Sequence, residues 1–143
     1  MSHIPPRTEY TVADIKAALD KYDLEIRKGD TVLMYSGHYI RTWGTDGWLS
    51  DYPGLSREAA EYIYGAGAVN IGQDAPSHDC GGTTSYPAHQ VCREMQNLNI
   101  ENLGDLRPVV GKRFQVIGMP LKIIGGSGSP KRAIAVLEDV GEK

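Results

Sequence analysis

Only two cysteines, Cys80 and Cys92, occur in the 143 residues; they allow one disulfide on paper but no disulfide framework, and reduced thiols are the expectation. Basic charge is also scarce. A net charge of −3 with a pI near 5.8 leaves no cationic footprint, so nucleic acid is not an expected partner. No apolar run approaches the roughly 18 residues a membrane helix needs, and no signal-peptide pattern opens the chain. The expectation is a cytoplasmic protein with no membrane partner. Repeats, low-complexity tracts and credible linkers are missing as well. What remains is ordinary: 41% hydrophobic and 23% charged residues, enough chain for one domain with a real core.

Residues 1–10, with Pro5-Pro6, read as an extended arm, and residues 11–143 as a single domain. Thr11 and Asp14 have the spacing of a capping box, ahead of a helical stripe formed by Val12, Ile15, Ala18, Leu19 and Tyr22. Thr31 to Tyr35 is a short apolar run between turn residues and predicts a buried strand. Gly37 to Tyr52 is aromatic and glycine-punctuated, a long loop of the kind that serves a site or an interface. Ser56 predicts the cap of a helix over Arg57 to about Tyr64, ended by Gly65 and Gly67. Ala68 to Ile71 reads as a strand, and Gly72 to Tyr86 as a loop. Pro87 suits the first position of a third helix reaching about Asn97. Three more strands are expected at Arg113–Gly118, Pro120–Ile124 and Arg132–Leu137. The pattern alone gives α/β or α+β.

Three groups of residues bear on chemistry. His89 and Glu101 stand twelve apart, at the start and just past the end of the third helix, where both side chains can reach one point. Imidazole and carboxylate are both ligands for Zn²⁺ or Mn²⁺, although a surface His and a surface Glu have the same spacing without any role. The second group is the loop Asp74 to Asp79, where Asp74 can hold an Asx turn and Ser77 stands as a supporting polar residue. In that loop His78 reads as solvent-exposed, and Cys80 as an exposed thiol whose only local activating partner is His78. The third is Gly125-Gly126-Ser127-Gly128-Ser129-Pro130. With no helix after it and no Gly-Lys-Ser/Thr ending, it is a strand-to-strand turn rather than a phosphate loop.

The segments GDTVLMYSG, PGLSREAAEYI, IGQDAPSHD, YPAH, IENLGDL and PLKIIGGSGSPKRAIAV occur in the order and approximate spacing of the cyclase family of metal-dependent hydrolases. The chain resembles that family, which includes kynurenine formamidase and isatin hydrolase, from about Thr11 to Val136. The resemblance implies the swivelling β/β/α fold, a mixed sheet or partly closed barrel with flanking helices. It implies His89 and Glu101 as ligands of a divalent metal, Zn or Mn, and Asn102 as a brace for the carboxylate. It also implies metal-assisted hydrolysis of a small amide such as N-formylkynurenine, or of a cyclic compound, in a homo-oligomer. Trp43 and Trp48 would stack on a planar substrate.

One family motif has no counterpart here. The family's N-terminal His-x-Gly-Thr-His-x-Asp-x-Pro-x-His supplies its other ligands and a proton-moving histidine, whereas His3 stands alone before the first helix. Two ligands chelate weakly, so the ion is expected to be held loosely or not at all unless another segment or chain completes the set. The alternative is a catalytically inactive remnant that oligomerises or binds a small molecule.

Overall fold

The computed structural model describes residues 5–137. Its secondary structure runs β1 (Glu9–Tyr10), α1 (Val12–Lys21), β2 (Thr31–Met34), α2 (His38–Thr42), β3 (Gly54–Leu55), α3 (Arg57–Gly65), β4 (Asn70–Gln73), α4 (Pro87–Glu94), β5 (Leu98–Ile100), β6 (Gln115–Pro120) and β7 (Lys131–Val136). Short 3₁₀ turns occupy Asp46–Leu49 and Arg107–Val109. The strands form three small sheets: parallel β1-β3, parallel β2-β4-β5 and antiparallel β6-β7. This is a mixed α/β fold with flanking helices, and its sheets do not close into a barrel among the described residues.

Local chemistry sets the helices. The Thr11 hydroxyl accepts the Asp14 amide at 3.3 Å while the Asp14 carboxylate accepts the Thr11 amide at 2.8 Å, the reciprocal capping box. Ser56 Oγ accepts the Ala59 amide at 3.1 Å and starts α3. This helix packs against α1 and α4 and buries Ala59, Ala60, Ile63 and Tyr64. Those residues, with Tyr10, Ile15, Leu55, Ile71, Ala88 and Val91, make the main core. A second, smaller cluster of Ile100, Leu103 and Leu106 lies against Leu33, Tyr35 and Ala133.

Several expectations shift. The Thr31 strand is half-buried rather than buried, because β2 lies at a sheet edge with one neighbour. The strand expected from Ala68 begins at Asn70 and is the buried centre of its sheet. The third helix ends at Glu94, since Asn97 already bonds back to the Cys92 carbonyl. Pro120–Ile124 is not a separate strand: Pro120 closes β6 and a turn follows, with Gly125 at φ +73°. The Gly37 to Tyr52 stretch folds into α2 and a 3₁₀ turn.

Candidate functional site

Each functional side chain sits at the carboxyl end of the parallel sheet, where α/β folds leave a crevice for ligands. The segment after β4 carries His78 and Asp79, the first turn of α4 carries His89, and Glu101 follows β5.

Asp79 organises the group. Tyr86, the residue before α4, makes no side-chain cap and has a left-handed backbone at φ +50°. The helix is capped instead from nine residues back, with Asp79 Oδ1 accepting the Ala88 amide at 2.6 Å. Its other oxygen meets His89 Nδ1. A carboxylate therefore neutralises the helix N-terminus and at the same time fixes the His89 ring. Asp79 is held in turn by close backbone packing: a Cβ on Gly54 would collide with the Cys80 amide and the Asp79 carbonyl group. The Leu55 amide also donates to the His78 carbonyl at 2.7 Å.

With Nδ1 turned to Asp79, His89 Nε2 faces Glu101 Oε1 at 3.2 Å. The Asn99 side-chain amide lies 3.1 Å from the same nitrogen. The hydrogen bond to Asp79, then the contact with Glu101, raises the His89 pKa to about 10, so the ring without an ion holds a proton at neutral pH. His78 is the opposite case. Its side chain is 3% exposed, and burial lowers its pKa to about 4. Neither ring nitrogen has a well-aligned hydrogen-bond partner, the Ile71 backbone offsetting only a small part of the burial effect, and Nδ1 lies 3.9 Å from Glu101 Oε1. The exposed loop histidine expected from sequence is buried, because the 78–81 segment is clamped against residues 50–55. Cys80 is buried by the same clamp, and burial raises its thiol pKa, which weakens it as a nucleophile.

The other expected residues divide. Asp74 is buried and reaches across to the end of β2 instead of forming a local Asx turn: its Oδ1 accepts Ser36 N at 2.7 Å and Ser36 Oγ at 2.6 Å. Burial raises its pKa. Ser77 Oγ accepts the Asp79 amide at 3.2 Å. Asn102 is exposed, with its backbone at φ +57°, and its amide donates to the Ala75 carbonyl at 2.9 Å. Besides Glu101, the polar side chains that meet His89 are those of Asp79 and Asn99, to which no spacing in the sequence points. Trp43 and Trp48 meet edge to face at 5.0 Å and line an open groove of about 500 Å³ with Gly44, Thr45, Asp46 and Leu49. None of the residues around His89 lines that groove.

The pair His89 and Glu101 fits a divalent ion in kind and in spacing. Two ligands at about 2.1 Å in a tetrahedral shell stand about 3.4 Å apart, close to the separation found here. It falls short in number: among the described residues, no three His, Cys, Asp or Glu side chains form a cluster set to hold an ion.

The Cyclase family model matches residues 1–80. Kynurenine formamidase of Salinibacter ruber is 34% identical over 89 residues, which are 62% of this chain and 42% of that protein. Isatin hydrolase of Roseibium aggregatum is 30% identical over 136 residues, covering 87% of this chain and 51% of the relative. A solved isatin hydrolase bound to the product analogue thioisatinate matches with a TM-score of 0.84 at 28% identity, over 93% of this chain and 54% of that one. The chain spans about half the length of the relatives it matches. On the family match, the shared fold and the aligned length together, the chain belongs to the Cyclase family.

Proposed function

We infer that this chain carries part of the active site of a metal-dependent hydrolase acting on a small amide, of the N-formylkynurenine type, or on a related cyclic amide. The observation that carries this reading is the line Asp79–His89–Glu101, with an imidazole nitrogen and a carboxylate oxygen 3.2 Å apart and a buried carboxylate behind the ring. His89 and Glu101 would hold a divalent ion such as zinc or manganese, with further ligands from outside the pair. When bound, such an ion supplies Lewis acidity towards an amide carbonyl and makes water a better nucleophile near neutral pH.

The chain's own residues do the rest. Asp79 keeps the His89 ring in one orientation, so that Nε2 and not Nδ1 faces the pocket. To hold an ion through Nε2, the His89 imidazole would have to be neutral, so binding there would be linked to the loss of a proton. Tyr86 packs edge-on against His89, with ring centroids 6.4 Å apart. Hydrolysis adds water across the C–N bond, giving a carboxylic acid and an amine.

Metal content per purified chain, measured beside formate release from N-formylkynurenine, tests the reading. Bound metal that disappears in His89→Ala and Glu101→Ala is the expected result. A chain that retains no divalent metal under any loading condition would overturn it and favour the second reading, a non-catalytic relative, for which the lack of a ready three-donor cluster among the described residues speaks. The chain alone is expected to turn over far below the usual enzyme median of roughly 10 s⁻¹, since one or more ligands lie outside the His89–Glu101 pair.

A further inference from the structure

Among the groups that this mechanism leaves unused, the His78 imidazole is buried with neither nitrogen in a well-aligned hydrogen bond. Burying a polar group without a hydrogen bond is costly, and native folds rarely leave one so. Its surroundings show what would satisfy it. Glu101 Oε1 stands between two imidazoles, 3.2 Å from His89 Nε2 and 3.9 Å from His78 Nδ1. The two rings lie edge to face with centroids 6.3 Å apart. We propose that His78 is the third ligand of a divalent ion held with His89 and Glu101, giving a two-histidine, one-carboxylate site from this chain alone.

The proposal rests on the functional reading above and replaces part of its outside ligand supply with a residue of the chain. The donors are not closed around one point as they stand. Ligands at about 2.1 Å in a tetrahedral shell are about 3.4 Å apart, so the His78–Glu101 separation has to shorten by about half an ångström. A buried, neutral imidazole suits this task, because it brings no charge to displace. The resulting set leaves a fourth position open, the arrangement expected of catalytic rather than structural zinc. It would take a borderline cation with a preference for nitrogen, Zn²⁺ or Co²⁺, over Mg²⁺ or Ca²⁺.

Calorimetric titration of the full chain with Zn²⁺, and absorption spectra with Co²⁺, decide the matter. The unaltered chain should bind one ion. His78→Ala, shown by circular dichroism to be folded, should weaken binding on the order of a hundredfold, the upper end of what an outer-shell partner costs. His78→Cys covers the case in which the alanine variant fails to fold: it should retain the ion and add a thiolate-to-Co²⁺ charge-transfer band. A folded His78→Ala within threefold of the unaltered affinity, or a Co²⁺-loaded His78→Cys without that band, overturns the assignment. Loss of metal in His89→Ala but not in His78→Ala removes His78 and leaves the functional reading intact. No Zn²⁺ bound by the unaltered chain removes both.

Discussion

Residues 9–106 and residues 115–136 solve the burial problem in opposite ways. The first stretch stacks three helices against short parallel strands and buries Leu55, Ala59, Ala60 and Ile63 completely. In the second, β6 and β7 pair over six residues each, from Gln115↔Val136 to Pro120↔Lys131, and with no other strand among the described residues. Most of their apolar residues face outwards: Met119 is 76% exposed, and Ile124 in the connecting turn 98%. Ala133 against the smaller cluster and Arg113, bonded to Asp30 and to the Glu25 carbonyl, tie the ribbon to the rest. A lone two-stranded ribbon is marginal in water, and an apolar patch of this kind marks a surface meant to be covered. Secondary structure is equally well formed in both regions, whereas a core exists in only one.

The largest expected effect tests that contrast directly. Ile63→Ala should cost about 2–5 kcal/mol in urea unfolding, since a fully buried side chain leaves a cavity. Ile134→Ala, in the ribbon and half exposed, should cost less than about 1 kcal/mol. Equal losses would show that the ribbon is packed in solution. Next comes Gly54→Ala, expected to cost about 1–3 kcal/mol because the added methyl has only backbone to meet. It should also loosen Asp79, and a weaker metal affinity in that variant would report the link.

A smaller effect on stability, but a clear one on size, is expected from Met119→Lys with Ile124→Lys. Folding free energy should stay within about 0.5 kcal/mol. Concentration-dependent sedimentation, expected of the unaltered chain as the ribbon hides its apolar face against a second copy, should vanish. An unaltered chain with one sedimentation coefficient at all concentrations would contradict the expectation.

The smallest effect lies in the polar interior of the first region. Burial raises the Asp74 pKa above its usual 3.8. A carboxyl whose folded pKa exceeds its unfolded value costs stability when ionised. Its contribution is fully present below about 3.8 and is lost as pH rises through the folded value. Asp74→Asn, which keeps an oxygen for Ser36, should therefore flatten this part of the stability–pH curve. Identical urea midpoints across the acid range for both proteins would count against it.

How much of this was legible depends on range. The Thr11–Asp14 box, the Ser56 cap and Pro87 opening α4 are encoded within four residues, so spacing rules find them. Strands of two or three residues, such as Glu9–Tyr10, Gly54–Leu55 and Leu98–Ile100, carry no periodicity and form because a partner strand is already in place. The family match falls on residues 1–80. His89 and Glu101 could be paired on the page through the family resemblance, whereas their spacing alone suits any surface His and Glu. The roles of Asp79 and Asn99 could not, and neither could the burial of His78 and Cys80. Asp79 caps a helix nine residues ahead, beyond the reach of any capping rule.

By itself, then, the sequence determined where helices start, since backbone hydrogen bonds and caps act across a single turn. Tertiary structure alone decided the Asp79–His89–Glu101 line, the sealed position of His78 and the bare face of the β6–β7 ribbon. The physical reason is that desolvation and close packing depend on which distant segments arrive. At Gly54 a missing side chain lets the Asp79 backbone approach, and beside the ribbon no strand arrives at all among the described residues.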